Sequence, residues 1–332
     1  MSRALRVGIG AAVALAALAL PHALTVPYFL HLTILACIWT VLAQGQNLVQ
    51  GFSGYVSIAA GGFMAIGAYA SALLSVKGGW PVWTSMALAP FVAAALALVV
   101  GYPSLRVKGH YFAIVTLAYN LVIVTVLNNY ESFTGGEAGM PNIQRPAALV
   151  LGGLQLSFAG REGYYYLVLL AAAAATAGGA LVLHSRVGRV LIAIRQNEMV
   201  VDALGVAAWR YKLFAFVASG FLAGLAGALY AHFIGFLNPE PFGTDQSMNA
   251  ILAVTLGGSG TLLGPIVGAF LVVTLPEYLR VADTYRLVVY GLLLVLATIF
   301  MPRGIVPMVS RGFRGMATRL AAALRPRPDP TP

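Results

Sequence analysis

Apolar residues run along this chain in blocks of up to about 20, the length that crosses the hydrocarbon core of a bilayer. Polar residues collect in short stretches between the blocks. The blocks cover 7–24, 28–43, 55–76, 82–101, 111–127, 164–183 and 212–233, followed by a broken segment at 248–276 and a last block at 287–301. This pattern predicts an all-α, polytopic transmembrane bundle of about eight spans plus one broken or re-entrant segment. The first block, preceded by Arg3 and Arg6, also has the grammar of a signal peptide. A second long apolar block follows almost at once, which favours a retained span.

Lys and Arg in short loops mark the cytoplasmic side. With Arg3 and Arg6 inside, counting crossings puts Arg106 and Lys108 inside and the long 128–163 loop outside. The 184–212 segment, with Arg186, Arg189, Arg195, Arg210 and Lys212, then falls inside and is expected to face water. The broken segment decides where the tail lies. A bend at Gly257-Gly258-Ser259-Gly260 that sends the chain back places Arg303, Arg311, Arg314, Arg319, Arg325 and Arg327 inside, as the charge rule prefers. Irregular backbone at that depth survives only against protein or a water-filled cavity, so this turn, with Gly264 and Pro265 after it, is expected to face the interior. A single tilted helix with a glycine kink is the other reading. The resulting division is a transmembrane region at 1–302, with a cytoplasmic loop at 184–212 and an extracytoplasmic loop at 128–163. A basic, Pro-rich cytoplasmic tail at 303–332 completes it.

Composition sharpens this picture by exclusion. Of 332 residues 60% are hydrophobic and only 9% charged, where soluble domains carry about 25% charge. The formal charge of +10 sits at block ends rather than on one basic-aromatic surface, which disfavours nucleic acid. One cysteine, Cys37, rules out an intrachain disulfide. None of the ten acidic residues falls in the middle of a span, where ion- and proton-coupled carriers place them. No GxxxxGK[ST] phosphate loop occurs, so ATP is not bound by that route. No spacing suggests a metal site, a cofactor or a catalytic triad, so an enzyme is not expected.

Two patterns remain for mechanism. Gly220, Gly224 and Ala228, and beside them Ser219, Ala223 and Gly227, recur every four residues. Such rows let helices approach closely in lipid. Ser53, Ser57, Gly61 and Ala65 form another row, and Gly264 and Gly268 a third. The second pattern is a short helix from Asn197 to Gly205. Asn197 is its cap, Glu198 complements the dipole in the first turn, Asp202 adds polarity, and Gly205 supplies a left-handed stop after Ala203 and Leu204. A capped cytoplasmic helix with a partly apolar face suits a partner's groove; lying on the headgroups is the alternative. Polar groups on the spans, namely Ser57, Thr116, Asn120, Asn249 and Thr255, are candidates to line a pathway.

Six stretches, NLVQGFSGYVSIAAGGFMAIGAYASALL (47–74), LRVKGHYFAIVTLA (105–118), TGGEAGM (134–140), AIRQNEMVVDALGVAAWRYKLFAFVASGFLAGLAGALYAHF (193–233), LGGSGTLLGPIVGA (256–269) and MPRG (301–304), together resemble the branched-chain amino acid permeases of ABC importers. They occur in family order and span most of the chain. The resemblance implies a multi-pass subunit of the bacterial inner membrane, paired with a second homologous permease. Two cytoplasmic ATPases would drive the pair, and an extracytoplasmic binding protein would feed it. It also implies that Arg195, Asn197, Glu198, Asp202, Ala203, Leu204, Gly205 and Lys212 couple the ATPases to the spans. Two positions depart from the family pattern. Ala59 and Ala60 stand where a Gly and then a polar residue are common, and Asp202 stands where Glu is frequent. Urea or short amides therefore stay open as cargo, and a stand-alone carrier or channel is the reading from another class.

Overall fold

The computed structural model describes residues 17–21, 26–107, 109–151, 154–279, 291, 292, 295, 299 and 304–308. Most of the first expected span (7–24), most of the last (287–301) and most of the basic tail, with all its arginines, lie outside the described residues.

The chain begins its helical core with α1 (Pro27–Asn47), where Pro27 occupies the first turn that lacks backbone partners in any case. α1 runs into a π turn at Leu48–Phe52. Next come α2 (Ala60–Val76), α3 (Val82–Ser104) and α4 (His110–Asn129). After a long loop follow α5 (Arg161–His184), α6 (Arg186–Gln196), α7 (Glu198–Ala203) and α8 (Ala208–Ile234). α9 (Thr244–Gly257) and α10 (Gly264–Tyr278) close the described core. Among the described residues, five helices are long and apolar enough to cross a membrane, and α2 and α10 are apolar but shorter. The chain is a helical membrane bundle, and the described part does not reach the expected eight spans.

Two details depart from the sequence reading. The block at 55–76 becomes helical only at Ala60, because the π turn and Gly54, at φ +79°, lead into irregular backbone. Ser53 and Ser57 therefore do not continue the helical row of Gly61 and Ala65. The long loop is also not wholly irregular. Within it β1 (Leu149–Leu151) pairs antiparallel with β2 (Leu154–Leu156), with Leu149 opposite Leu156.

α8 is the central helix, and its small residues explain why. A Cβ built on Gly220 would lie 2.5 Å from the Ala97 methyl, and one on Gly224 would lie 2.5 Å from that of Ala93, so α3 lies against this row. Gly227 faces α2, where a methyl would overlap the Met64 carbonyl; Gly67 of α2 meets the Gly224 backbone. Gly45 of α1 comes within 3.0 Å, measured from a built Cβ, of the Ser219 carbonyl. Contacts this close supply the van der Waals packing that holds helices together in lipid. Beneath them, Phe216 of α8 stacks edge-on with Phe63 of α2 at 5.3 Å and Phe112 of α4 at 5.6 Å.

α9 and α10 form an antiparallel hairpin. A Cβ on Gly257 would overlap the Gly264 carbonyl, and one on Gly268 the Ala253 carbonyl, so the second helix retraces the first. At 14 and 15 residues, each is about 21–22 Å long, short of the ~30 Å hydrocarbon core. Gly258 and Gly260, at φ +126° and +80°, make the turn between them. Thr261 closes it, donating to the Gly258 carbonyl and accepting from Gly264 N.

On the loop side, Met140 and Leu237 exchange backbone hydrogen bonds and thus join the 128–163 loop to the end of α8. His232, fully buried, meets the Gln144 carbonyl at 2.6 Å through Nδ1 and Ser71 at 2.8 Å through Nε2. A carbonyl only accepts, so Nδ1 carries the proton and Nε2 accepts from Ser71.

Candidate functional site

The 184–212 segment folds as two helices joined at a corner. Ser185 caps α6, accepting from Gly188 N at 3.2 Å. Asn197 ends α6 in an extended conformation and starts α7, its side chain accepting from Val200 N at 3.3 Å. α7 ends in a Schellman arrangement: Val206 N donates to the Val201 carbonyl and Gly205 N to the Asp202 carbonyl. Gly205 stands at φ +79°, with open space around it. Asp202 reaches forward to accept from Ala208 N at 3.3 Å, capping the start of α8.

α7 presents an apolar crest to the outside. Met199 is 72% exposed, Val200 54% and Leu204 76%. Ala203 and Gly205 are exposed beside them, while Val201 is buried and fixes the helix to the bundle. Sequence reasoning named Leu204 and Ala203 but did not single out Met199 and Val200 as the free surface. Their spacing around Val201 was the available signal.

Behind the crest lies a buried charge pair. Lys212 Nζ stands 2.6 Å from Glu198 Oε1, with the two side chains 2% and 15% exposed. Lys212 is therefore not the water-facing residue that its place in a basic segment suggested; it sits on the first turns of α8, turned inward. Tyr55 completes the cluster. Its hydroxyl donates to Glu198 Oε2, and Lys212 Nζ lies 4.6 Å from its ring centre. Burial, and the Glu198 carboxylate it donates to, push the Tyr55 phenol above its usual range, so it remains a donor. Tyr55 also packs edge-on against Phe112 at 5.6 Å. One glutamate thus ties α7 to α8 and to the turn before α2.

A second contact leaves the same segment in another direction. Arg195, near the end of α6, donates from Nη1 to the Gly51 carbonyl at 2.5 Å. Gly51 belongs to the π turn after α1, and this turn is locked to the hairpin. Asn47 donates to the Thr261 carbonyl and accepts from Gly260 N, both at 2.9 Å. Gln44 donates to the Leu262 carbonyl and Gln50 to Thr255, again at 2.9 Å. Gln44, Asn47 and Gln50 lie three residues apart, on one face of the helix, and that spacing was legible but passed over. Gly257, Gly258, Gly260, Gly264 and Pro265 all gather at this hairpin turn.

The candidate lining residues divide. Thr116 accepts from Ile58 N beside buried Ser57, whose carbonyl accepts from Gln46. Thr255 joins the hairpin contacts, and Asn249 is half-buried on α9. Asn120 is fully buried against Gly62, and among the described residues neither polar atom of its amide has a hydrogen-bond partner. Among the described residues no group of three or more His, Cys, Asp or Glu side chains could hold a metal.

The family model for the permease component of branched-chain amino acid transport systems matches residues 28–298. The chain belongs to that family. Among relatives, this permease is 35% identical over 295 residues to the high-affinity branched-chain amino acid transport system permease protein LivM of Escherichia coli K12, covering 82% of this chain and 69% of LivM. It is 27% identical over 280 residues to the corresponding LivH of Salmonella typhimurium, covering 80% of this chain and 90% of LivH. A shorter match, 40% over 99 residues, covers 28% of this permease and 28% of the autoinducer 2 import system permease protein LsrC of Klebsiella pneumoniae. No solved structure matches it.

Proposed function

We propose that this permease is one of two homologous membrane subunits of an ABC importer for branched-chain amino acids, working by alternating access in the bacterial inner membrane. Cytoplasmic ATPases drive it, and an extracytoplasmic protein delivers the cargo. The observation that carries this reading is the paired character of α7. Its outer face is exposed and apolar through Met199, Val200 and Leu204, while its inner face is bound to α8 through Glu198 and Lys212. A helix built this way accepts force from outside and transmits it inward.

ATPase closure presses on the crest, with Arg195, Asn197, Glu198, Asp202, Ala203, Leu204, Gly205 and Lys212 forming or bracing the contact. The Glu198–Lys212 pair hands the displacement to α8. The rows of Gly220, Gly224, Gly227 and Ala228 lock α8 to its neighbours, so it moves with them as a block. Substrate passes between this chain and its homologous partner. Ser57, Thr116, Asn120, Asn249 and Thr255 are candidate lining residues, Asn120 foremost because its amide is unpartnered.

The remaining regions have assigned places in this scheme. The permease region is 1–302, and 303–332 forms a cytoplasmic tail. The hairpin at 244–278 enters from the outer side and returns to it. The outer loop 128–163, pinned through Met140–Leu237 and His232–Gln144, offers a folded rim to the binding protein.

The test is reconstitution with both permeases, the ATPases and a leucine-loaded binding protein. ATP-driven uptake is expected in the intact complex and lost in the double variant Glu198→Arg, Gly205→Pro. Coupling that survives the double variant would falsify the role of α7.

A further inference from the structure

The coupling segment makes two connections to the membrane bundle, and the second goes neither to α8 nor to a carboxylate. Arg195 lies in the last turn of α6, two residues before the Asn197 cap of α7. Its guanidinium donates to the Gly51 carbonyl at 2.5 Å. A methyl built on Gly260 would lie 2.7 Å from Nη1 and 3.0 Å from the Gly51 carbonyl oxygen, so the hairpin turn lies against the same guanidinium. Gly54, at φ +79°, lies flat on the Arg195 stem, where a Cβ would meet Cγ at 2.9 Å. A methyl on Gly51 would come 2.6 Å from Gly260 N. Three glycines from two separate elements thus leave room for one arginine. Among the described residues no carboxylate pairs with it, so its charge serves the Gly51 backbone carbonyl rather than an ion pair.

We propose that Arg195 is a positioning residue that clamps the turn of the α9–α10 hairpin and the π turn of α1 to the coupling segment, so that the hairpin moves with α6 and α7 and gates the pathway. This rests on the coupling role of α7 proposed above, and adds a second output to it. The physical reasons are specific. Gly51 lies near the end of the π turn, where carbonyls lack an onward helical partner, and a guanidinium donates to such groups with charge-assisted strength. The hairpin is already bound to the end of α1 through Gln44 and Asn47 and to the π turn through Gln50, so whatever holds the π turn holds the hairpin. Backbone-to-backbone contact through glycine leaves no flexible side chain to absorb displacement.

The experiment uses the full complex with its ATPases, partner permease and binding protein, in proteoliposomes. Cys37 is the one cysteine of the chain, so its replacement allows spin labels at Arg189 on α6, Leu263 at the hairpin turn and Val122 on α4. In the otherwise native chain, vanadate trapping is expected to leave the 189–263 distance fixed while the 122–263 distance shifts. In Arg195→Ala the complex should still co-purify, because the guanidinium meets Gly51 and the hairpin turn rather than the exposed crest of α7. Leucine uptake should fall about tenfold, as expected for loss of a charge-assisted contact, and the 122–263 distance should cease to respond. Arg195→Lys, which keeps a cationic donor, should recover uptake, whereas a general folding defect would not follow donor chemistry. Gly260→Ala, which wedges the same contact from the hairpin side, should reproduce the loss.

Native uptake in Arg195→Ala, or a hairpin that still follows nucleotide in that variant, overturns the proposal. So does loss of co-purification, which would make Arg195 a docking contact instead. Failure of the native complex itself to import with ATP would overturn the function proposed above rather than the clamp alone.

Discussion

Lys212 Nζ lies 2.6 Å from Glu198 Oε1, and both side chains are withdrawn from solvent. A cation at the base of a membrane helix and an anion on an outlying short helix thus form one mechanical joint. Burial makes the joint sensitive to loss of either half, because the remaining charge has no water to turn to.

The first prediction follows from that asymmetry. Lys212→Met alone should destabilise the purified protein by about 3–5 kcal/mol. The double variant Lys212→Met, Glu198→Gln should recover much of this, since neither charge of the pair is then left buried without the other. Thermal unfolding in detergent across the four proteins of the cycle measures it. Equal losses in single and double variants would show that the pair contributes no coupling.

A second prediction separates surface from support on α7. Leu204→Asp or Met199→Asp changes an exposed side chain and should leave unfolding temperature unaltered. Affinity for the ATPase subunits should nevertheless fall at least about tenfold, as for a central apolar contact. Affinity measured by titrating ATPase onto the permease pair decides this.

Packing around α8 gives a third. At Gly227 a methyl would overlap the Met64 carbonyl, so Gly227→Ala should cost about 3 kcal/mol, the upper part of the usual range for overpacking. Gly178 on α5 has nothing within 4 Å of a built Cβ. There the same change should be neutral, or stabilising by up to about 1 kcal/mol through helix propensity. Comparing the two unfolding temperatures is the check.

Asn120 supplies a fourth. A buried amide without partners costs roughly 1–3 kcal/mol, so Asn120→Leu should raise stability by that order. Should the amide serve the pathway, leucine uptake falls in the same variant. A protein that is stabilised and transports normally would remove Asn120 from the pathway.

Much of this architecture was legible in the chain. Asn197 and Gly205 bracket a helix because a capping amide and a left-handed glycine have few other uses at that spacing. The four-residue rows on α8 announced close packing, and the glycines at 257–260 announced a break. What could not be read were the joints between distant segments. Lys212 looked water-facing because its neighbours are basic, and nothing local shows that Glu198 turns it inward or that Tyr55 joins them from 143 residues away. Among the described residues Arg195 has no carboxylate partner, since it meets a backbone carbonyl. The late start of α2 depends on the π turn, whose hydrogen bonding leaves no sequence periodicity. The face of Gln44, Asn47 and Gln50 was the missed signal, since polar residues at helical spacing inside a span require partners.

The most direct test of the central claim, that force enters at α7 and leaves as transport, is leucine accumulation in proteoliposomes of the complete complex. Uptake is expected to require both ATP and the binding protein, and to vanish in Glu198→Arg, Gly205→Pro while the subunits remain assembled. Uptake by this chain alone without ATP, or undiminished uptake in the double variant, would contradict it.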